Sequence, residues 1–352
     1  MEKISDNICT IYMDDSYKGL GEILNLREDY DCVLILSDAN VYNAQGDKFI
    51  KNLNAQIVYE YIVNPGEDAK SIDVYEKIIE YCVKINLSRK SLLIALGGGV
   101  VGDLGGFIAS TYMRGIDFVQ VPTTLLAQVD SSIGGKTGIN IGDFKNIIGT
   151  FYQPKLTYIN SQALETLSDE EFKGGMSEVI KYSLIYDYEF LDYLIENSKD
   201  ILNKDKEKLY YVVKKCASIK AEVVGKDEKE SGLRKILNFG HTFGHGVEKL
   251  CKISHGFAIS IGMNMAFKLS LKENLITQEY YEKFLKVCEC YDLPLNFEEI
   301  EASRVLNIMK SDKKNSFAKI NLVLPVGLGK VDVIDTIEEE KILDIIKECR
   351  NA

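Results

Sequence analysis

The sequence predicts two domains, an α/β domain with a mostly parallel sheet followed by a mainly helical domain. Three observations carry this. Short apolar runs alternate with helix-period segments over the first ~160 residues, the pattern of βα units. One of those runs, 92–96, ends at Gly97, Gly98 and Gly99, which open a helical stretch. Beyond that region the strand-like runs give way to long helical patterns.

In chain order, residues 33–36 (VLIL) read as a buried strand ending at Ser37 and Asp38. Residues 57–63 (IVYEYIV) read as a second strand. Val74, Ile78, Cys82 and Ile85 then recur as on one face of a helix. Residues 92–96 (LLIAL) form a third strand, and residues 117–121 (DFVQV) a fourth, stopped by Pro122. Residues 123–129 (TTLLAQV) read as helix. Ser168 and Glu171 have the spacing of a capping box. Helical patterns run through 186–225, 257–273 and 277–291, and in the last Tyr281, Phe284, Leu285 and Cys288 share a face. Only the segment near 320–324 reads as a late strand. The domains are accordingly placed at 1–157 and 158–352.

Composition narrows the function. The chain has 352 residues, 46% apolar and 27% charged, enough for a sizeable core. A net charge of −11 argues against a general nucleic-acid binder, so any anion must be met by cations gathered locally. No apolar run reaches the ~20 residues needed to span a bilayer. The N-terminus shows no signal-peptide pattern, so a cytoplasmic location is expected. The eight cysteines are scattered without metal-ligand spacing and read as buried free thiols.

Four segments carry chemistry. Gly97, Gly99 and Gly102 satisfy G-x-G-x-x-G after a strand. That suits a pyrophosphate at a helix N-terminus, or equally a close-packed strand-to-helix turn. The usual acid about twenty residues on is missing, and Asp38, at the end of an earlier strand, is the better ribose contact. Residues 130–137 (DSSIGGKT) nearly match a P-loop. Asp130 stands where Gly is needed, however, and no strand precedes it, which removes an ATPase or kinase. Gly134, Gly135 and Gly138 around Lys136 still suit a phosphate, and Lys145 and Asn146 follow. Glu178 and Lys181 share a helix face, as a functional pair or an ordinary surface ion pair.

His241, His245 and His255 are the only histidines and lie within fifteen residues. The first two have the H-x-x-x-H spacing of a zinc protease without its Glu, which removes that reading. With an acid from elsewhere, three clustered histidines form either a three-ligand metal site with open positions or a structural cluster.

Taken together, PGEDAKS (65–71), GGGVVGDLGGFIASTYMRG (97–115), VPTTLLAQVDSSIGGKTGIN (121–140), GGMSEVIK (174–181), ESGLRKILNFGHTFGHGVE (230–248), HGFAISIGM (255–263) and SDKK (311–314) resemble the 3-dehydroquinate synthases. The stretches run in family order across nearly the whole chain. The resemblance implies a Rossmann-like N-terminal domain holding NAD, a helical C-terminal domain holding zinc (or cobalt), and an active site in the cleft between them. Carried over by position, it makes Glu178, His241 and His255 the metal ligands. It makes His245 a proton-transfer and substrate-contact residue, and Glu230 a second proton acceptor. NAD would meet Asp38, Asn40, Glu67, Asp68, Ala69, Lys70, Gly98, Gly99, Val100, Asp103, Thr123, Thr124, Lys145, Ala163, Leu164, Glu165 and Thr166. Substrate would meet Arg114, Asp130, Lys136, Asn146, Lys181, Lys220, Arg234, Asn238 and one of Lys313 or Lys314.

The implied reaction converts 3-deoxy-arabino-heptulosonate 7-phosphate into 3-dehydroquinate and phosphate, a step of the shikimate pathway. NAD is recycled: a hydroxyl is oxidised, phosphate leaves by β-elimination, the hydride returns, and the ring reopens and closes by an aldol step. Arg114, Lys136, Lys181, Lys220 and Arg234 would be the local cations that the acidic composition demands. Ser177 and Gly138 stand where the family commonly has Ala. The resemblance also implies a homodimer. Two readings compete: another sugar phosphate cyclase on this scaffold, and a glycerol dehydrogenase-like metal-dependent alcohol dehydrogenase. The second does not need five cations.

Overall fold

The computed structural model describes residues 1–5, 8–142, 144–298, 300–311 and 320–351. The chain forms two units, one of Met1–Leu167 with Leu209–Glu228 and one of Ser168–Lys208 with Lys229–Ala352.

The first unit contains strands β1 (Glu2–Ser5), β2 (Ile11–Asp14), β3 (Val33–Asp38), β4 (Val58–Val63), β5 (Leu92–Gly97), β6 (Asp117–Pro122), β7 (Lys136–Ile141), β8 (Phe144–Phe151) and β9 (Leu156–Asn160). Seven make one sheet in the order β1-β2-β9-β6-β5-β3-β4. Every pairing except β1 with β2 is parallel. The apolar runs read as strands are therefore β3 to β6, four neighbours in this sheet. Val33–Leu36 of β3 and Leu92–Leu96 of β5 are continuously apolar because both faces are covered, whereas the edge strand β4 carries Glu60 and is only partly buried. Leu34, Leu36, Leu93 and Ala95 pack on one side with Ile78 and Cys82 of the Ile72–Lys84 helix and Leu104 and Ile108 of the Gly99–Thr111 helix. Val33, Ile35, Leu92, Ile94 and Leu96 pack on the other with Tyr17, Leu20 and Phe49.

Strands β1, β2 and β9 were not legible as strands, since their short segments mix polar and apolar residues. Strands β7 and β8 form a separate antiparallel hairpin. Residues 125–131 are helical and end in the turn Ala127–Ser131, so the P-loop-like segment does not follow a strand.

The second unit is mainly helical. Ser168 caps the helix Asp169–Ile185, its Oγ accepting from the Glu171 N–H at 3.3 Å. The helices His241–Cys251, His255–Lys272 and Gln278–Cys290 follow. The late strand is β10 (Leu322–Gly327), paired with β11 (Lys330–Ile334). The helix Lys206–Lys226 belongs from Leu209 onward to the first unit, where Lys220 meets Asp130. The cysteines are free, and six of the eight are buried. Among the described residues no helix is long and apolar enough to cross a membrane.

Candidate active site

In the second unit three helices bring one acid and two imidazoles together. Their approach depends on glycines. A Cβ on Gly256 would lie 2.0 Å from the carbonyl oxygen of Gly174, so the His255–Lys272 helix crosses the Asp169–Ile185 helix at bare backbone. A Cβ on Gly262 would lie 2.0 Å from the carbonyl oxygen of Gly240, which itself takes a left-handed φ of 79° just before His241. Glu178 lies one turn beyond Gly174, and His241 and His255 each begin a helix.

Nε2 of His241 and Nε2 of His255 are each 3.6 Å from Oε1 of the fully buried Glu178. One ligand atom from each residue lies within 4.8 Å of the other two. The far side of each ring is occupied. Nδ1 of His241 donates to the Phe239 carbonyl at 3.0 Å, and Nδ1 of His255 donates to Glu248 at 3.0 Å. In the neutral ring that a metal requires, the proton then stays on Nδ1 and the Nε2 lone pair faces the Glu178 side. Burial works against charge on His255, but its bonds to Glu178 and Glu248 outweigh that and hold the imidazole up at about 9. A carboxylate and two imidazoles converging from rigid helices fit a divalent ion with positions left for substrate oxygens. The reading of these histidines as a purely structural cluster is the weaker one here, because the three donors converge on one point.

Lys181 is buried beside Glu178, in ion-pair contact with it, and donates to the Leu237 carbonyl at 3.0 Å. The pair is not a surface pair, since both side chains are at most 1% exposed. Asn238 donates to Glu230, whose backbone is left-handed at φ 59°. Arg234 is buried in the turn Leu233–Asn238. His245 lies with its ring centre 5.4 Å from that of His241 and 6.2 Å from that of His255. It groups with Glu248 and His255 rather than with the Glu178 set.

In the first unit most of the expected NAD contacts lie at the carboxyl ends of five parallel strands, the exceptions being Asp103, inside the Gly99–Thr111 helix, and Lys145, on β8. Asp38 and Asn40 follow β3, Glu67, Asp68, Ala69 and Lys70 follow β4, and Gly98, Gly99 and Val100 follow β5. Thr123 and Thr124 follow β6, and Ala163, Leu164, Glu165 and Thr166 follow β9. Parallel strands place all of these at one edge of the sheet, where open α/β sheets bind ligands. Gly98 is the N-cap of the Gly99–Thr111 helix and has no side chain to cap it with, which suits an anion there. A Cβ on Gly99 would close to 3.0 Å from Ser131 Oγ. Asp38 also has a local task, its Oδ1 accepting from the N–H groups of Asn40 and Val41 at 2.9 and 3.1 Å. Asp103 is bonded to Lys70 at 2.7 Å. Burial raises its carboxyl above the usual range, against the pull of the Lys70 charge.

Lys220 bonds Asp130 through the backbone carbonyl at 2.6 Å and through the carboxylate at 3.0 Å. Lys136 and Arg114 are exposed, and Arg114 follows Met113 in a left-handed turn with φ values of 49° and 69°. Lys145 and Asn146 are exposed on β8, and Oδ1 of Asn146 accepts from Lys70 at 2.5 Å. Lys313 and Lys314 lie outside the described residues. Sequence reasoning missed Glu248 and Asn140, whose side chain bonds Glu67. Glu248 had a signal: it lies seven residues after His241, on the same helix face.

Residues 60–174 match the family described as 3-dehydroquinate synthase N-terminal, and residues 175–315 match 3-dehydroquinate synthase C-terminal. A 3-dehydroquinate synthase of Caldanaerobacter subterraneus subsp. tengcongensis is 44% identical over 344 residues, 96% of each chain. Among solved structures, 2-epi-5-epi-valiolone synthase from Streptomyces hygroscopicus subsp. jinggangensis, with NAD+ and Zn2+ bound, superposes with a TM-score of 0.89. It is 24% identical and is matched over 99% of this chain and 98% of that one. A 2-deoxy-scyllo-inosose synthase complexed with carbaglucose-6-phosphate, NAD+ and Co2+ superposes with a TM-score of 0.87. It is 23% identical and is matched over 98% of this chain and 99% of that one. At these identities the two structures share the fold.

Proposed function

The chain belongs to the 3-dehydroquinate synthase family, and from that membership we propose how its residues divide the work of a cyclising phosphorus–oxygen lyase. The reaction takes 3-deoxy-arabino-heptulosonate 7-phosphate to 3-dehydroquinate and phosphate, within aromatic amino acid biosynthesis. The observation that carries the division of labour is the convergence of Glu178, His241 and His255, both imidazoles with Nδ1 already engaged.

Glu178, His241 and His255 hold the divalent metal, zinc or cobalt, and the β-strand edge around Gly98 and Gly99 holds NAD. When bound, the metal supplies polarisation of substrate hydroxyls and NAD supplies a reversible hydride acceptor. The solved cyclases with NAD+ and a divalent metal on the same fold support both assignments.

The protein's own groups bind, orient and move protons. Lys181, against Glu178, offsets the charge of the buried carboxylate and places a cation at the metal end of the substrate. Oδ1 of Asn146 is taken by Lys70, so it is the Nδ2 donor that Asn146 offers an anion, which suits phosphate. Lys136 serves the phosphate as well. Lys220, fixed by Asp130, and the planar fork of Arg234 serve the carboxylate. His245 moves the proton beside the new ketone, and Glu230, held by Asn238, is the second acceptor. Arg114 completes the substrate contacts. The protein works as a cytoplasmic homodimer, and light scattering of the purified chain tests the dimer.

The test of the reading is inorganic phosphate release from the heptulosonate phosphate, with and without added NAD. Phosphate release that depends on NAD, without net NADH, is expected. Net NADH accumulation with no phosphate release would make the protein a dehydrogenase instead.

A further inference from the structure

Opposite Asn140 the β7–β8 ladder slips. Ile139 pairs with Ile148 and Ile141 with Phe144, so one residue of β7 faces three of β8: Lys145, Asn146 and Ile147. A bulge re-aims the side chains it carries. Here Asn146 adopts a left-handed φ of 50°, a conformation that neighbours must hold in place.

Asn140 supplies that hold. Its Oδ1 accepts from the backbone N–H of Asn146 at 2.8 Å. Its Nδ2 donates to Oε1 of Glu67 at 2.8 Å. Its own N–H donates to the Lys70 carbonyl at 2.7 Å. Lys70 Nζ donates in turn to Oδ1 of Asn146 at 2.5 Å and lies 3.8 Å from Oε1 of Glu67, closing a ring of four residues from two distant segments. The partners dictate the amide's orientation. Turned over, its NH2 would face an N–H and its carbonyl a carboxylate.

We infer that Asn140 is a positioning residue that sets the 67–70 turn and the Lys145–Asn146 bulge in one arrangement, so that cofactor contacts and substrate contacts form together. Asn is suited to this, since one side chain must donate to a carboxylate and accept from a backbone N–H. The inference rests on the reading above, in which Glu67 and Lys70 meet NAD and Asn146 meets substrate. A merely structural Asn140 would affect thermal stability and leave ligand affinity alone.

The experiment is NAD titration by calorimetry on the purified full-length chain, with Tm measured alongside. Asn140→Asp is nearly isosteric, keeps the acceptor for Asn146 and sets a second carboxylate against Glu67. Its NAD Kd should rise roughly tenfold. Asn140→Ala releases both partners, and it should also raise KM for the heptulosonate phosphate. Adding Glu67→Gln to Asn140→Asp restores a donor facing a carboxylate. The double variant should bind NAD more tightly than the two single effects multiplied together require. Wild-type binding with an unchanged Kd in both Asn140 variants, whatever their Tm, overturns the inference alone, as does a strictly additive double variant. A wild-type chain that binds no NAD overturns the functional reading and this inference with it.

Discussion

Oε2 of Glu248 accepts a hydrogen bond from Nδ1 of His255 at 3.0 Å, while Nε2 of the same ring stands 3.6 Å from Glu178. The contact decides which ring nitrogen carries the proton. Once the ring is neutral, as a metal ligand must be, this carboxylate holds its one N–H on Nδ1 and leaves Nε2 to ligate. Phe239 does the same for His241 through its backbone carbonyl.

Replacing Glu248 should therefore loosen the metal without removing a ligand. Glu248→Leu is expected to weaken zinc binding by roughly 10–100-fold in chelator competition. Glu248→Gln keeps an acceptor for Nδ1–H and should recover most of the loss. Equal affinity in wild type and the Leu variant would mean that His255 is oriented by packing alone.

His255→Ala should abolish stoichiometric zinc, because two remaining ligands rarely hold the ion. Elemental analysis of the dialysed protein decides this. One zinc per chain in the variant would remove His255 from the ligand set.

Gly256 and Gly225 make a matched pair. An alanine Cβ at 256 would sit 2.0 Å from the Gly174 carbonyl oxygen, and one at 225 would meet nothing within 4 Å. Gly256→Ala must push two helices apart, so it should cost about 1–3 kcal/mol and weaken the metal site as well. Gly225→Ala, in the Lys206–Lys226 helix, should leave stability unchanged or raise it by up to about 1 kcal/mol. Denaturant midpoints of the two variants test the contrast, and similar midpoints would argue that the helix crossing at Gly256 is not tight.

Arg234 is the residue expected to distinguish a carboxylate-bearing sugar phosphate from a neutral one. Its side chain is 2% exposed, and a buried guanidinium is best used on a planar anion. Arg234→Ala should cost at least ~2 kcal/mol in kcat/KM toward the heptulosonate phosphate, about 30-fold. It should also narrow the preference over sedoheptulose 7-phosphate and glucose 6-phosphate. Phosphate release from all three sugars, in wild type and variant, is the measurement. Efficient wild-type turnover of a sugar without the carboxylate would count against this role.

The amino-acid pattern was enough to find β3 and β5 at the sheet's centre, because strands buried on both faces are apolar at every position, as in Val33 to Leu36 and Leu92 to Leu96. It also determined the metal-site candidates, because every histidine lies in one short window and the motif around Glu178 has a recognisable form. The tertiary structure alone decided β1, β2 and β9, whose mixed residues gain their strand conformation from pairing, the last of them inside the sheet between β2 and β6. It decided that Glu178 and Lys181 are buried together, since helix spacing puts both on one face without saying what covers that face. It decided the Asn140 ring as well: that ring joins residues 67–70 to residues 140–146, and hydrogen bonds between segments so far apart leave no local pattern in either one. A side chain's neighbours along the chain set its face and period, whereas the acceptor for an amide or an imidazole N–H is set by what folding brings within 3 Å of it.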